Sequence, residues 1–315
     1  MELRKCRTGA ITELHSFPFD AMGTECVLHL YAPTADDAEM AAERAIIEIE
    51  RIEARYSRYR PDSVLSGINE TAGAGRCVEV DEETATLLDY AFACHRISAG
   101  LFDITSGILR RAWDFASGQL PALEQVAALL PRVGMEKIVW VRPRLEFPVP
   151  GVELDFGGIG KEYAADRAAA ICRDCGIAHG LIDLGGDIRV IGPHPDGRSW
   201  TIGIRDPRRP GVAVVHVELA GGALATSGDY ERYLEIGGRR YCHILNPRTG
   251  WPAEGLRSVS IHADQCLLAG SLATMAMLRG EEGVAWLNGL GQFYHCVDSA
   301  GRQHSTLPTR ASQAV

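Results

Sequence analysis

The stretch Leu154–Asp187 reads LDFGGIGKEYAADRAAAICRDCGIAHGLIDLGGD and gathers residues able to hold an anion. Asp155 ends a short apolar approach, Gly157, Gly158 and Gly160 follow, and Lys161 opens an Ala-rich run. A second Asp-x-Gly-Gly stands at Asp183, Gly185 and Gly186. Glycines between a strand and a helix let a ligand approach bare backbone, and a helix start offers free N–H groups to an anion. Two tight turns in an α/β unit would leave the same pattern, so the glycines alone name no ligand. His243, in YCHILNPRTG, stands at a strand end before a turn made by Pro247 and Gly250. A histidine near neutral pKa can serve as a base, although a lone one is more often structural.

The elements that must position these residues follow from periodicity and caps. The Ala-rich run predicts a helix from about Lys161 to Cys175, stopped by Gly176. Phe19–Tyr31 alternates at Cys26, Leu28 and Leu30 and predicts a strand, with Met22-Gly23-Thr24 at its start. Thr34–Arg55 is an amphipathic helix with Ala45, Ile46, Ile49 and Ile52 on one face. It runs into a turn rich in tyrosine and arginine, Tyr56–Ser63. A helix over Asp81–Ser98 precedes Gly100-Leu101-Phe102-Asp103. Residues 116–150, with five prolines, read as linking structure around a short helix at Leu123–Leu130. Trp200–Arg205, Ala213–Leu219 and Ser258–His262 read as strands, and Leu267–Leu278 as an apolar helix stopped by Gly280. Glu281–Leu287 is a further short helix.

Composition bounds the function. The 315 residues are 46% apolar and 23% charged, the balance of a globular protein. The net charge, 32 − 41 = −9, argues against nucleic acid as a main partner. No apolar run is long enough to span a bilayer, and the first residues lack the apolar core of a signal peptide. Nine scattered cysteines form no disulfide framework and favour a reducing, cytoplasmic setting. Cys172 and Cys175 form a C-x-x-C inside the expected helix, with no second pair to complete a zinc site.

Seven motifs fall in one order: MGT, SRYRPDS, FDIT, D-x-GGIGK-x-YAAD, ATSGDY, HILNPRTG and L-A-x-x-L-A-T. In that order they resemble the ApbE family, the FAD:protein FMN transferases, over roughly Phe19–Tyr294. The resemblance implies an α+β, T-fold-like architecture of antiparallel sheets flanked by helices. It implies a single domain over residues 17–302, between a loose polar leader (1–16) and a loose tail (303–315). It also implies an enzyme that uses Mg²⁺, cleaves the FAD pyrophosphate and joins FMN by a phosphoester to a threonine of a target flavoprotein, releasing AMP. By the same resemblance Met22, Tyr59, Leu101, Phe102, Asp103, Asp155, Lys161, Ser227 and Ile244 would contact the flavin nucleotide. His243 would be the general base for the threonine, and Gly158 and Thr274 would hold the metal.

At the metal site the sequence departs from the family pattern. The family places an aspartate one helical turn before the threonine, where both side chains share a helix face. Here that position is Gly270, in Ala269-Gly270-Ser271-Leu272-Ala273-Thr274. Mg²⁺ takes oxygen ligands and usually a carboxylate. The departure leaves a second reading open, a protein that binds FAD with weak or no transfer activity. It also gives an expectation, that Gly270→Asp would tighten Mg²⁺ binding.

Overall fold

A computed structural model of the chain describes residues 12–310. Strands β1 (Glu13–Ala21) and β2 (Thr24–Ala32) form an antiparallel hairpin, with Ala21 opposite Thr24. The stretch expected as one strand from Phe19 therefore contains the hairpin turn. Met22 (φ 56°) and Gly23 (φ 72°) both lie at positive φ, the mark of a type I′ turn. The polar leader expected over 1–16 lies outside the described residues as far as residue 11, and from Glu13 the chain is already in β1.

Helix α1 (Ala35–Tyr56) is capped by Thr34, whose Oγ1 accepts the Asp37 N–H at 3.1 Å. It buries Ala38, Ala45, Ile49 and Ile52 along one face. The sequence reading has no counterpart for α2 (Val64–Gly73), capped by Ser63. Then come β3 (Cys77–Glu79) and α3 (Glu82–Ile97), whose N-cap is Asp81. A 3₁₀ segment (Ile104–Arg111) and α4 (Leu123–Leu129) follow. The segment expected as linking structure also holds β4 (Val139–Val141) and β5 (Arg144–Glu146), which join β3 in a small sheet ordered β3-β5-β4.

The glycine turn leads into α5 (Gly160–Asp174), and β6 (His179–Leu184) and β7 (Asp187–Gly192) form the next hairpin. Strands β8 (Trp200–Arg205), β9 (Ala213–Leu219) and β10 (Ala223–Gly228) lead to a small hairpin, β11 (Tyr233–Ile236) and β12 (Arg239–Cys242). Strand β13 (Leu256–Ala263), helices α6 (Cys266–Arg279) and α7 (Gly283–Leu290), and strands β14 (Phe293–Asp298), β15 (Gln303–Ser305) and β16 (Thr309–Arg310) complete the described chain. Part of the tail expected to be loose is thus paired, β15 with β14 and β16 with β9.

The main sheet has eight antiparallel strands in the order β1-β2-β6-β7-β10-β13-β14-β15. Its two faces bury different partners. Leu28, Leu30, Ile182, Leu184, Ala225 and Ile261 point into a core shared with α1, α5 and α6. Leu181, Ile188, Val190 and Leu224 point the other way and pack on the three-stranded sheet β16-β9-β8. The alternation of a pleated strand assigns each side chain to one face. This is the α+β arrangement of antiparallel sheet and helices that the motifs imply.

Helix α6 lies deep in the core and has no capping side chain of its own at its N-terminus. Asp166 of α5 supplies the cap across space: its two carboxylate oxygens accept the N–H groups of Cys266 (3.0 Å) and Leu267 (2.9 Å). Arg189 holds the same carboxylate at 2.9 Å. One turn back on α5 and one turn forward on α6, Glu162 meets Gly270. The helices therefore run antiparallel in a fixed register. Asp166→Ala removes a charged cap and leaves Arg189 without its ion-pair partner, so unfolding free energy should fall by roughly 2 kcal/mol. Urea denaturation measures it, and a loss below about 0.5 kcal/mol, the low end for cap removal, would contradict this role.

Candidate functional site

The site begins at the glycine turn. The Phe156 carbonyl accepts the N–H groups of Ile159 (2.9 Å) and Gly160 (2.8 Å), so the turn winds directly into α5. Asp155 braces it: Oδ1 accepts the Gly157 N–H at 2.8 Å, and Oδ2 pairs with Arg58 (2.9 Å) and Arg110 (3.5 Å). Arg58 also donates to the Gly107 carbonyl at 2.9 Å. Gly107 has to be glycine, because a Cβ there would lie 2.2 Å from the Asp155 Cβ. The buried Phe102 ring packs beneath Gly158, 3.3 Å from where its Cβ would be.

Lys161, in the first turn of α5, forms an ion pair with Asp187 at 2.9 Å. Burial alone would lower the lysine pKa. Attraction to Asp187 and Glu162 outweighs it and holds the pKa above the ordinary lysine value, so the ammonium stays charged. The two acids of the second glycine turn differ in role. Asp183 accepts the Gly186 N–H at 2.6 Å and shapes the turn, where Gly185 and Gly186 have positive φ (64° and 95°). Asp187 is the one that faces Lys161.

His243 follows β12, and its Nδ1 lies 3.3 Å from the Arg232 carbonyl. That carbonyl can only accept, so Nδ1 carries the proton and Nε2 keeps its lone pair. Burial lowers the His243 pKa, and the positive charges of Arg110, Arg232 and Lys161 lower it further, to about 4. The ring is therefore neutral at physiological pH. Arg232 also reaches the first hairpin, its Nη2 lying 3.4 Å from where a Gly23 Cβ would be. It thus links the Met22–Gly23 turn to the histidine loop. The buried Ile244 follows the histidine.

At the far side of the lysine, Ser227 on β10 and Thr274 on α6 place their hydroxyl oxygens 2.8 Å apart. Glu162, in the first turn of α5, is 8% exposed. A Cβ built on Gly270 would meet the Glu162 Cγ and Oε1 at 2.6 Å. Burial raises the Glu162 pKa, with nearby Asp187 adding to the shift. These oxygens (one carboxylate and two hydroxyls) suit a hard divalent cation. The sequence reading takes Gly270 as the place of a missing aspartate, and in the structure the Glu162 carboxylate occupies that place. An added aspartate there would collide with Glu162, so the expected gain from Gly270→Asp is withdrawn.

Three expected contacts stand apart from this group. Asp103 is spent within the fold: it accepts from the Thr105 N–H (2.8 Å), the Thr105 hydroxyl (2.5 Å) and the Met135 N–H (3.0 Å). His95 lies 3.6 Å away, and with the exposed Glu136 these form a close set of possible ligand atoms. Leu101 is buried in the main core, and Tyr59 is 74% exposed, its ring under the Arg58 guanidinium. Sequence reasoning missed Arg58, Arg110, Arg232, Asp187 and Glu162. Arg58 lies inside the quoted motif SRYRPDS, and Glu162 and Asp187 lie inside the quoted stretch Leu154–Asp187, while Arg110 and Arg232 have no local signal. A cavity of about 1050 Å³ opens on the opposite face of the main sheet, lined by Leu181, Asp183 and Thr226, with none of the lysine, histidine or hydroxyl groups named above.

Cations gathered at a helix start, beside an eight-stranded antiparallel sheet, make this an α+β protein with a site suited to an anionic ligand. The model of the ApbE family matches residues 22–296. The chain is 32% identical over 240 residues to an FAD:protein FMN transferase of Vibrio cholerae, covering 74% of this chain and 72% of that one. It is 35% identical to a protein of the same name from Rhodobacter capsulatus over 69% of this chain, and spans 42% of that longer relative. The crystal structure of the ApbE protein of Thermotoga maritima superposes with a TM-score of 0.86 at 31% identity, covering 93% of this chain and 97% of that one. The chain belongs to the ApbE family.

The geometry around His243 predicts its titration. NMR of the ring should give a pKa well below the ordinary histidine value, and Arg110→Gln should raise it by removing a cation. Because the folded state favours the neutral ring, this histidine's contribution to stability is complete above the unfolded pKa. It is lost as pH falls through the folded one. A pKa at or above 6.5, about the unperturbed value, would contradict the cationic surroundings.

Proposed function

We propose that this chain is an FAD:protein FMN transferase, whose acceptor is a threonine on a target flavoprotein. The observation that carries the reading is the neutral His243, with Nε2 unprotonated, amid Arg110, Arg232 and Lys161. Nε2 takes the proton from the threonine hydroxyl as its oxygen attacks the phosphorus on the FMN side of the pyrophosphate. The new P–O bond joins threonine to FMN, the bond to the AMP phosphate breaks, and AMP leaves with the bridging oxygen. Lys161 and the α5 N–H groups receive the phosphate charge. Bound pyrophosphate offsets the three cations and lifts the histidine pKa toward neutrality, where a base works best.

Gly158 through its carbonyl and Thr274 through its hydroxyl are the oxygen donors we assign to Mg²⁺. That ion would supply neutralisation of charge on the pyrophosphate. Met22, Phe102 and Ile244 offer apolar surface to the flavin nucleotide, Asp155 and Ser227 polar contacts. We take the described chain from β1 to β16 as one catalytic domain, wider at both ends than the expected 17–302. The described cysteines are free and no helix among the described residues is long and apolar enough to cross a membrane. The free thiols support a cytoplasmic setting.

Incubation with FAD, Mg²⁺ and an acceptor flavoprotein should release AMP and leave FMN on the acceptor. FAD should also bind more tightly than free FMN. His243→Ala should retain FAD binding and slow transfer by about 10²–10⁴-fold, the usual worth of a general base. Loss of FAD binding, with unchanged transfer per bound FAD, would make His243 a binding residue instead.

A further inference from the structure

The buried and half-buried acids around α5 are accounted for, one by one, except at a single oxygen. Asp155 is held by Arg58, Arg110 and the Gly157 N–H. Asp166 caps α6 and pairs with Arg189. Asp187 pairs with Lys161 and accepts the Thr226 N–H at 3.3 Å. Glu153 has a buried oxygen without a hydrogen bond, but Arg111 lies 2.7 Å from it. Glu162 differs. It is 8% exposed, its Oε2 has no hydrogen-bond partner, and no Lys or Arg forms a salt bridge with it among the described residues. A buried carboxylate is ordinarily paired or bound to a metal.

Its position adds a second, independent observation. The Glu162 carboxylate fills the place where a side chain on residue 270 would begin, with Oε1 and Cγ both 2.6 Å from the Cβ position. Thr274 is one helical turn further along α6, on the same face, and its hydroxyl is joined to Ser227 at 2.8 Å. Glu162 thus stands beside Gly270, one helical turn along α6 from the paired hydroxyls of Thr274 and Ser227.

We propose that Glu162 is the protein carboxylate that binds the divalent cation of this site, carried on α5 and reaching over Gly270 to act with Thr274. The inference rests on the transferase reading for the identity of the cation but not for its ligand. Gly270 is then the clearance that the glutamate needs, and the carboxylate has moved from one helix to the other while its location is kept.

Mn²⁺ serves as the probe, since carboxylate and hydroxyl oxygens suit Mg²⁺ and Mn²⁺ alike. Binding to the intact chain is followed by the electron paramagnetic resonance of free Mn²⁺, with circular dichroism checking the fold. Glu162→Gln, nearly isosteric, should weaken Mn²⁺ binding at least as much as the roughly 10–100-fold typical of losing an outer-shell partner. Gly270→Asp alone should weaken it too, because the two side chains compete for one space. Glu162→Gly combined with Gly270→Asp should bind more tightly than Glu162→Gly alone, a coupling that a merely structural glutamate would not give. Unchanged Mn²⁺ affinity in folded Glu162→Gln, or no recovery in the folded double variant, would overturn the proposal. AMP release from FAD by the parent is scored separately. Release with Mn²⁺ binding indifferent to Glu162 sinks the ligand assignment alone, and Glu162-dependent Mn²⁺ binding without release sinks the transferase reading alone.

Discussion

One carboxylate, Asp166, fixes where α6 begins against α5, and the rest of the site depends on that register. A helix start leaves N–H groups without intrahelical partners, and in the core water cannot serve them. Asp166 receives two of them, so α6 cannot slide by a turn without losing both. Once the register is set, the small residues at the crossing decide what fits there. Gly270 faces Glu162 across the crossing, and any side chain on it would push Glu162 aside. The same register brings Thr274 to Ser227 on β10. A packing contact in the core thereby determines the spacing of oxygen donors at the surface of the site.

The second organising feature is the imbalance of charge around His243. The chain as a whole is acidic, yet the positive charges of Arg110, Arg232 and Lys161 all act on this ring. Two of these cations are held by acids, Arg110 by Asp155 and Lys161 by Asp187, which keeps them in place without cancelling their effect on the histidine. The arrangement suits an anionic ligand, whose arrival would relieve the repulsion. It also keeps the imidazole neutral, with its tautomer set by the Arg232 carbonyl.

Much of the fold was legible because helices carry their own punctuation. Thr34 and Asp81 mark helix starts as caps, and the apolar spacing of α1 holds over its length. The first hairpin was misread as a strand because its type I′ turn uses Met22-Gly23 in place of the usual Asn-Gly, and strand alternation continues across it. The central glycine turn, Lys161 and His243 could be named because the ordered motifs point to them. Asp187, Arg110, Arg232 and Glu162 could not be assigned, since each acts on a residue from another element. The exchange between Glu162 and Gly270 was least visible of all. Along the chain it is a glutamate in one helix and a glycine in another, and only the crossing of α5 and α6 makes them complementary.

The central claim is that this crossing builds a cation site with Glu162 as its carboxylate. The most direct measurement is a crystal structure of the Mn²⁺-soaked protein, with the metal located by its anomalous scattering. The account predicts a peak within about 2.5 Å of the Glu162 carboxylate and the Thr274 hydroxyl, near the upper end of oxygen distances for hard cations. A peak among His95, Asp103 and Glu136 instead, with Glu162 still facing Gly270 and unliganded, would contradict it.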